Sequence, residues 1–164
     1  MASEHTMDIV VRFDFQELVN AVDQAKREAL NRFDLKDSNV EIELNDESIK
    51  ITAPSNIQIE SVFDILSKKM IGRNLSTKIL KRKDIQEIGG MRARLEITLI
   101  KALDQENAKK ISKIIRDEFP KTKPMIQGDA VRVASKSIDD LQAIMTKLRG
   151  DESLNIPLDF TNYR

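Results

Sequence analysis

The side chains that could carry chemistry are few in this chain of 164 residues, which has no Cys and a single His, His5. Without thiolates there is no disulfide, no sulfur-ligated zinc and no cysteine nucleophile, and the reducing cytosol is the natural compartment. One His, placed ahead of the first patterned segment, cannot build a Ser-His-Asp triad or a paired-His metal site. Asp139-Asp140 can bind a divalent ion or split their pKa values, yet at the first turn of a predicted helix they serve more simply as cap and dipole partners. Glu41 and Glu43 read as the solvated side of a strand. The five glycines, Gly72, Gly89, Gly90, Gly128 and Gly150, fall at predicted breaks. None builds a Walker loop or a G-x-G-x-x-G turn, which excludes both phosphate cradles. No catalytic residues, metal or cofactor are expected, and the chain reads as a binding protein, not an enzyme.

The cations are more informative. Lys plus Arg and Asp plus Glu number 27 each, but unevenly: residues 1–67 hold 6 basic and 14 acidic side chains, 68–123 hold 16 and 7, and 124–164 hold 5 and 6. Within the basic 78–123 region lie Lys81-Arg82-Lys83, the strand pair Arg92 and Arg94, and a helical stripe of Lys109, Lys113 and Arg116. Such a surface can neutralise RNA phosphates, or can be an ordinary solvated face. The stacking aromatics of an RNA-recognition sheet are missing from Ser48–Ala53 and Ala130–Ser135. At the end of the sequence, Phe160-Thr161-Asn162-Tyr163-Arg164 offers an aromatic and a guanidinium next to one another, suited to a purine nucleotide, or simply a packed last strand with a frayed end.

Patterning indicates what positions these groups. Ile9, Val11 and Phe13 alternate as a strand, and Asp14 then opens a helix through Leu18, Val22, Ala25, Ala29 and Phe33. A hairpin turns at Asn45-Asp46. Ser55 caps a second helix, which Gly72 is placed to end in a left-handed conformation. A looser strand at Thr77–Lys81 follows, and Gly89-Gly90 breaks the chain. The order then restarts: a strand at Arg92–Leu99, a helix after Asp104, a hairpin turning at Gly128-Asp129, a helix opened by Ser137 that Gly150 closes as Gly72 closes its counterpart, and a strand at Leu158–Phe160. Strand, helix, strand, strand, helix, strand occurs twice, the order of a ferredoxin-like sandwich, with helices on one face of an antiparallel sheet. The expected class is α+β, a tandem of halves at 8–89 and 90–164. No run is long and apolar enough for a membrane span, and Met1–Thr6 lacks a signal-peptide pattern. A cytoplasmic location is expected.

The segments Asp8-Ile9-Val10, Asn20-Ala21-Val22-Asp23, Arg32-Phe33-Asp34, Glu43-Leu44-Asn45-Asp46, Ile126-Gln127-Gly128-Asp129, Val131-Arg132-Val133, Lys136, Asp139-Asp140-Leu141-Gln142 and the Phe160/Asn162/Arg164 ending resemble the YajQ family of bacterial nucleotide-binding proteins. The resemblance runs from about Met7 to Arg164. It implies two ferredoxin-like sandwiches with exchanged first strands, residues 8–13 completing the second sheet and 92–99 the first. It also implies a non-catalytic receptor for a nucleotide, cyclic di-GMP, GTP or ATP, acting through a protein partner such as a transcription regulator. RNA binding through the 78–123 surface is the alternative. The implied ligand contacts are Arg32, Gln127, Asp129, Arg132, Lys136, Asn162 and Arg164. The chain departs from the family pattern at Met7, Arg12, Ser135 and Ile138. The implied exchange would set Arg92 and Arg94 beside Glu41 and Glu43, neutralising part of the basic segment and favouring a small anionic ligand over long RNA.

Overall fold

The structure is a computed structural model that describes residues 4–32 and 34–164. Its elements in chain order are β1 (His5–Val11), α1 (Phe15–Asn31), β2 (Glu41–Leu44), β3 (Ser48–Ala53), α2 (Asn56–Gly72), a 3-10 turn (Thr77–Ile79) and β4 (Leu80–Arg82). Then come β5 (Gln86–Ile88), β6 (Arg92–Leu99), α3 (Gln105–Glu118), β7 (Lys123–Gln127), β8 (Ala130–Ser135), α4 (Ile138–Arg149) and β9 (Leu158–Thr161). The class is α+β, with two antiparallel sheets, as the patterning predicts. The chain divides into two units: Phe13–Ile100, and the residues through Arg12 together with Lys101–Arg164.

In the Phe13–Ile100 unit the sheet order is β2-β3-β6-β4, with β5 also pairing β6. Leu18, Val22 and Ala25 of α1 and Ile59, Val62 and Leu66 of α2 form its core with Ile49, Ile51, Leu95 and Ile97 of the central strands. In the other unit the order is β7-β8-β1-β9. There Ala108, Ile111 and Ile115 of α3 and Leu141, Ile144 and Leu148 of α4 are buried, as are Met7, Ile9, Val131 and Val133. Each sheet is thus completed by the first strand of the other half: β1 lies between β8 and β9, and β6, the strand that follows Gly89-Gly90, lies between β3 and β4. This is the exchange that the resemblance implies.

Local caps follow the sequence. Asp14 accepts from the N–H of Gln16 and of Glu17, Ser55 from Gln58, Asp104 from Asn107 and Ser137 from Asp140, satisfying donors that a helix start leaves open. Four expectations need correction. Gly72 lies inside α2, and the left-handed residue is Asn74 (φ 61°). Its N–H reaches Ile71 O and that of Leu75 reaches Met70 O, a Schellman ending in which Asn replaces Gly. Gly150 is likewise right-handed, with φ −90°. The first strand begins at His5, which pairs with Ser135, and ends before Phe13; Phe13 packs against the Phe13–Ile100 core instead. The strand drawn through Thr77–Lys81 is a 3-10 turn followed by β4. Gly89-Gly90 turns a short hairpin between β5 and β6, with Gly90 and Met91 at positive φ. Strand β5, with one apolar residue in three, carries no period to read. Phe33 and Met1–Ser3 lie outside the described residues.

Ile9 is fully buried at the centre of its sheet. Ile9→Ala should therefore destabilise that unit by about 2–5 kcal/mol in denaturant unfolding. Hydrogen exchange should show protection falling in β8 and β9, far along the sequence, and not in β3.

Candidate functional site

Along β1 the side chains alternate: Met7, Ile9 and Val11 face the core, so Asp8 faces the side of the sheet away from α3 and α4. Register places Asp8 opposite Arg132 on β8 and opposite Thr161 on β9. The carboxylate is closed off, with its side chain only 9% exposed. A buried carboxylate needs several donors, and it has them. Arg132 Nε donates to Oδ1 at 2.8 Å and its terminal nitrogen to Oδ2 at 3.1 Å, a bidentate fork. Asn162 Nδ2 donates to Oδ2 at 2.8 Å.

The third donor depends on a break in register. β9 pairs with β1 from Val11↔Leu158 to Asp8↔Thr161, yet Thr6 exchanges backbone hydrogen bonds with Arg164 at 3.1 and 3.0 Å. One extra residue is thus accommodated after Thr161, and Asn162 adopts φ 53°, the left-handed conformation of a bulge residue and one that Asn tolerates. The bulge brings the Asn162 amide onto Asp8.

The Arg132 fork, more than burial, sets the charge state. Its hydrogen bonds hold the Asp8 carboxyl below the usual carboxylate range, against the opposing effect of desolvation, with help from Asn162 and the Arg164 charge. The same pair raises Arg132. Two of the five guanidinium N–H groups face Asp8, leaving three for another partner. The Arg132 side chain is 46% exposed, and Met125, its register neighbour on β7, is 60% exposed. A planar, orientation-fixed cation with free donors and an apolar neighbour can receive a phosphate at its edge or a base on its face.

The expected contact residues are not all gathered. Arg132, Asn162 and Arg164 cluster around Asp8. Lys136 follows Ser135, which pairs with His5, so it leaves the sheet at the end where Arg164 meets Thr6. Gln127 and Asp129 flank Gly128 (φ 58°) in the opposite turn, about 20 Å from Lys136 by strand rise. The Gln127 amide lies 3.3 Å from Met125 Sδ. Arg32 belongs to the Phe13–Ile100 unit and pairs with Asp34 through two 3.0 Å bonds. Phe160 lies opposite core-facing Ile9 and carries the Arg149 guanidinium 4.9 Å from its ring centroid.

The basic segment is divided as well. Lys81, Arg82, Lys83, Arg92 and Arg94 lie in the Phe13–Ile100 unit, and Lys109, Lys113 and Arg116 in the other. Arg82 pairs with Glu60 and lies over Phe63, and Lys83 reaches Glu96 at 3.6 Å. Arg92 donates to the carbonyls of Ser38 and Asn39, and Arg94 to Thr52 Oγ1 at 3.4 Å. Asp139 and Asp140 sit in the first turn of α4, and among the described residues no cluster of three potential metal ligands occurs. Sequence reading missed Asp8 and Met125 as site components. A lone carboxylate inside Met7-Asp8-Ile9-Val10-Val11 was the available signal for the first.

Fold and site together define a tandem ferredoxin-like protein with an arginine-centred polar sheet face. The chain belongs to the YajQ-like nucleotide-binding protein family, whose profile matches residues 5–164. It is 51% identical to a nucleotide-binding protein of Trichodesmium erythraeum over the full length of both chains. It is 50% identical to one of Roseiflexus castenholzii, also with complete coverage of both. Among the described residues, no helix is long and apolar enough to cross a membrane.

Because folding depresses the Asp8 pKa, its stabilisation is present above the unfolded carboxylate pKa and is lost as pH falls through the lower folded value. Asp8→Asn should be less stable than wild type at neutral pH. That gap, measured by urea unfolding, should narrow below about pH 4.

Proposed function

We propose that this chain is a non-catalytic, cytoplasmic nucleotide receptor that binds cyclic di-GMP and signals through a protein partner such as a transcription regulator. The supporting observation is the Arg132 guanidinium, held by Asp8 and Asn162 with three donors still free. Family membership supports the nucleotide class. Lys136 and Arg164 would meet phosphates at one end of the sheet and Arg132 midway along β8, and Gln127 and Asp129 would read base edges at the other end. One ligand serves both ends only if it extends along β8, as a dinucleotide does. Arg32, paired with Asp34 in the other unit, has a weaker claim to the site. The duplicated halves in this reading are residues 8–89 and 90–164.

Calorimetry with cyclic di-GMP, GTP and ATP tests the proposal. Cyclic di-GMP should bind, and Lys136→Ala and Asp129→Ala should each weaken it about tenfold, while GTP should respond to only one of them. These variants leave the Asp8–Arg132 pair intact, so a lost signal is not a lost fold. Absence of heat with all three nucleotides at tens of micromolar protein would remove the reading.

A second reading, RNA binding, is supported by the α3 stripe: Lys109, Lys113 and Arg116 are exposed and form no ion pair among the described residues. It calls for retention of mixed RNA that falls steeply with salt and is reduced in Lys109→Ala/Lys113→Ala. Salt-insensitive or absent retention would dismiss it.

A further inference from the structure

Among the described residues β2 is an edge strand, paired only with β3. Asn45 N–H bonds to Ser48 O at 3.0 Å where the hairpin closes, so antiparallel alternation turns the backbone groups of Glu43 and Glu41 toward β3. Those of Leu44 and Ile42 point outward. Along this edge lies a cavity of about 330 Å³ between β2 and α1, lined by the apolar Ala29, Leu30, Val40 and Ile42 together with Lys26, Glu41 and Glu43. Leu30 is 66% exposed at its rim.

The opposite face of the same edge is ordered by charge. Register sets Glu43 beside Lys50 and Lys50 beside Glu96, and Glu96 pairs with Lys83 at 3.6 Å. The row therefore runs negative, positive, negative, positive and ends at β2 on an exposed carboxylate, with Glu41 a second one two residues away. Two such edges would repel one another, which bars β2-to-β2 pairing of two copies. A strand with Lys or Arg on this face would continue the alternation. Ala29, Leu30, Val40 and Ile42 in the cavity lining favour apolar residues on that side of the incoming strand.

We propose that the β2 edge is a strand-addition site for an extended protein segment in which basic and apolar residues alternate, the basic ones meeting Glu41 and Glu43 and an apolar one entering beside Leu30. This mode takes affinity from main-chain hydrogen bonds and specificity from alternate side chains. The inference rests on the partner half of the proposed function, and its test contains no nucleotide, so either can fail alone.

The test is fluorescence anisotropy of the full chain with a labelled peptide of alternating Val and Lys, against a peptide of the same composition with Val and Lys in separate blocks. The alternating peptide should bind at least about tenfold more tightly, with hydrogen-exchange protection gained at Ile42 and Leu44. Glu41→Lys/Glu43→Lys and, separately, Leu30→Ser should each reduce that binding about tenfold. All three positions are exposed or line the rim, and circular dichroism should confirm unchanged folding. Equal affinity for the two peptides, no binding up to about 1 mM, or protection that bypasses Ile42 and Leu44 would overturn the proposal.

Discussion

A carboxylate facing away from the helices, yet closed off from water, has to be neutralised where it stands. At Asp8 that requirement ties three strands together, because the residue lies on β1, its bidentate partner Arg132 on β8, and its amide donor Asn162 just past β9. Satisfaction depends on register: a one-residue slip of β1 would turn the carboxylate toward the core and Met7 and Ile9 away from it. The pair thus fixes the alignment of a strand donated from more than a hundred residues away. The interaction that orients Arg132 for a ligand is also the one that fixes where β1 belongs. Burying a carboxylate at a sheet centre is a poor route to stability alone, and it makes physical sense where the arginine it holds has a second task.

Much of the architecture was legible. Helices α1 and α3 are announced by capping residues and apolar spacing, and both long hairpins by alternation around Asn45 and Gly128. Where the reading failed, the physics was local competition or a missing period. Asn74 took the left-handed position that Gly72 was expected to fill, since an Asn side chain tolerates that conformation. Strand β5 exists because β6 offers it an edge, a tertiary cause that Gln86-Glu87-Ile88 does not encode. The exchange itself came from family resemblance, because identical element orders permit either pairing. At the site, cationic candidates could be named from sequence, but which of them converge could not. The bulge at Asn162 and the strand length separating Asp129 from Lys136 are properties of register, visible only once the sheet is assembled.

The balanced total of charges now has a spatial meaning. Most of the basic run in the Phe13–Ile100 unit is committed to neighbours there: Arg82 to Glu60, Lys83 to Glu96, Arg92 to backbone carbonyls. The expected neutralisation of Arg94 by Glu41 takes a different form. Thr52 lies between them in register, and the alternating row belongs to Glu43, Lys50, Glu96 and Lys83. Exposed stripes such as that of α3 are separate from these commitments.

The exchanged strands also impose an order on biosynthesis. Synthesis runs from the N-terminus, so β1 is made before its neighbours β8 and β9, which lie more than a hundred residues further along the chain. All the strands of the sheet in the Phe13–Ile100 unit lie before Lys101, so that sheet can condense while the remainder is still being made. Throughout that interval β1 carries Met7, Ile9 and Val11 with no sheet to join. The one carboxylate among them, Asp8, then gives the waiting strand a charge that discourages association with other apolar segments, before it becomes the anchor of Arg132.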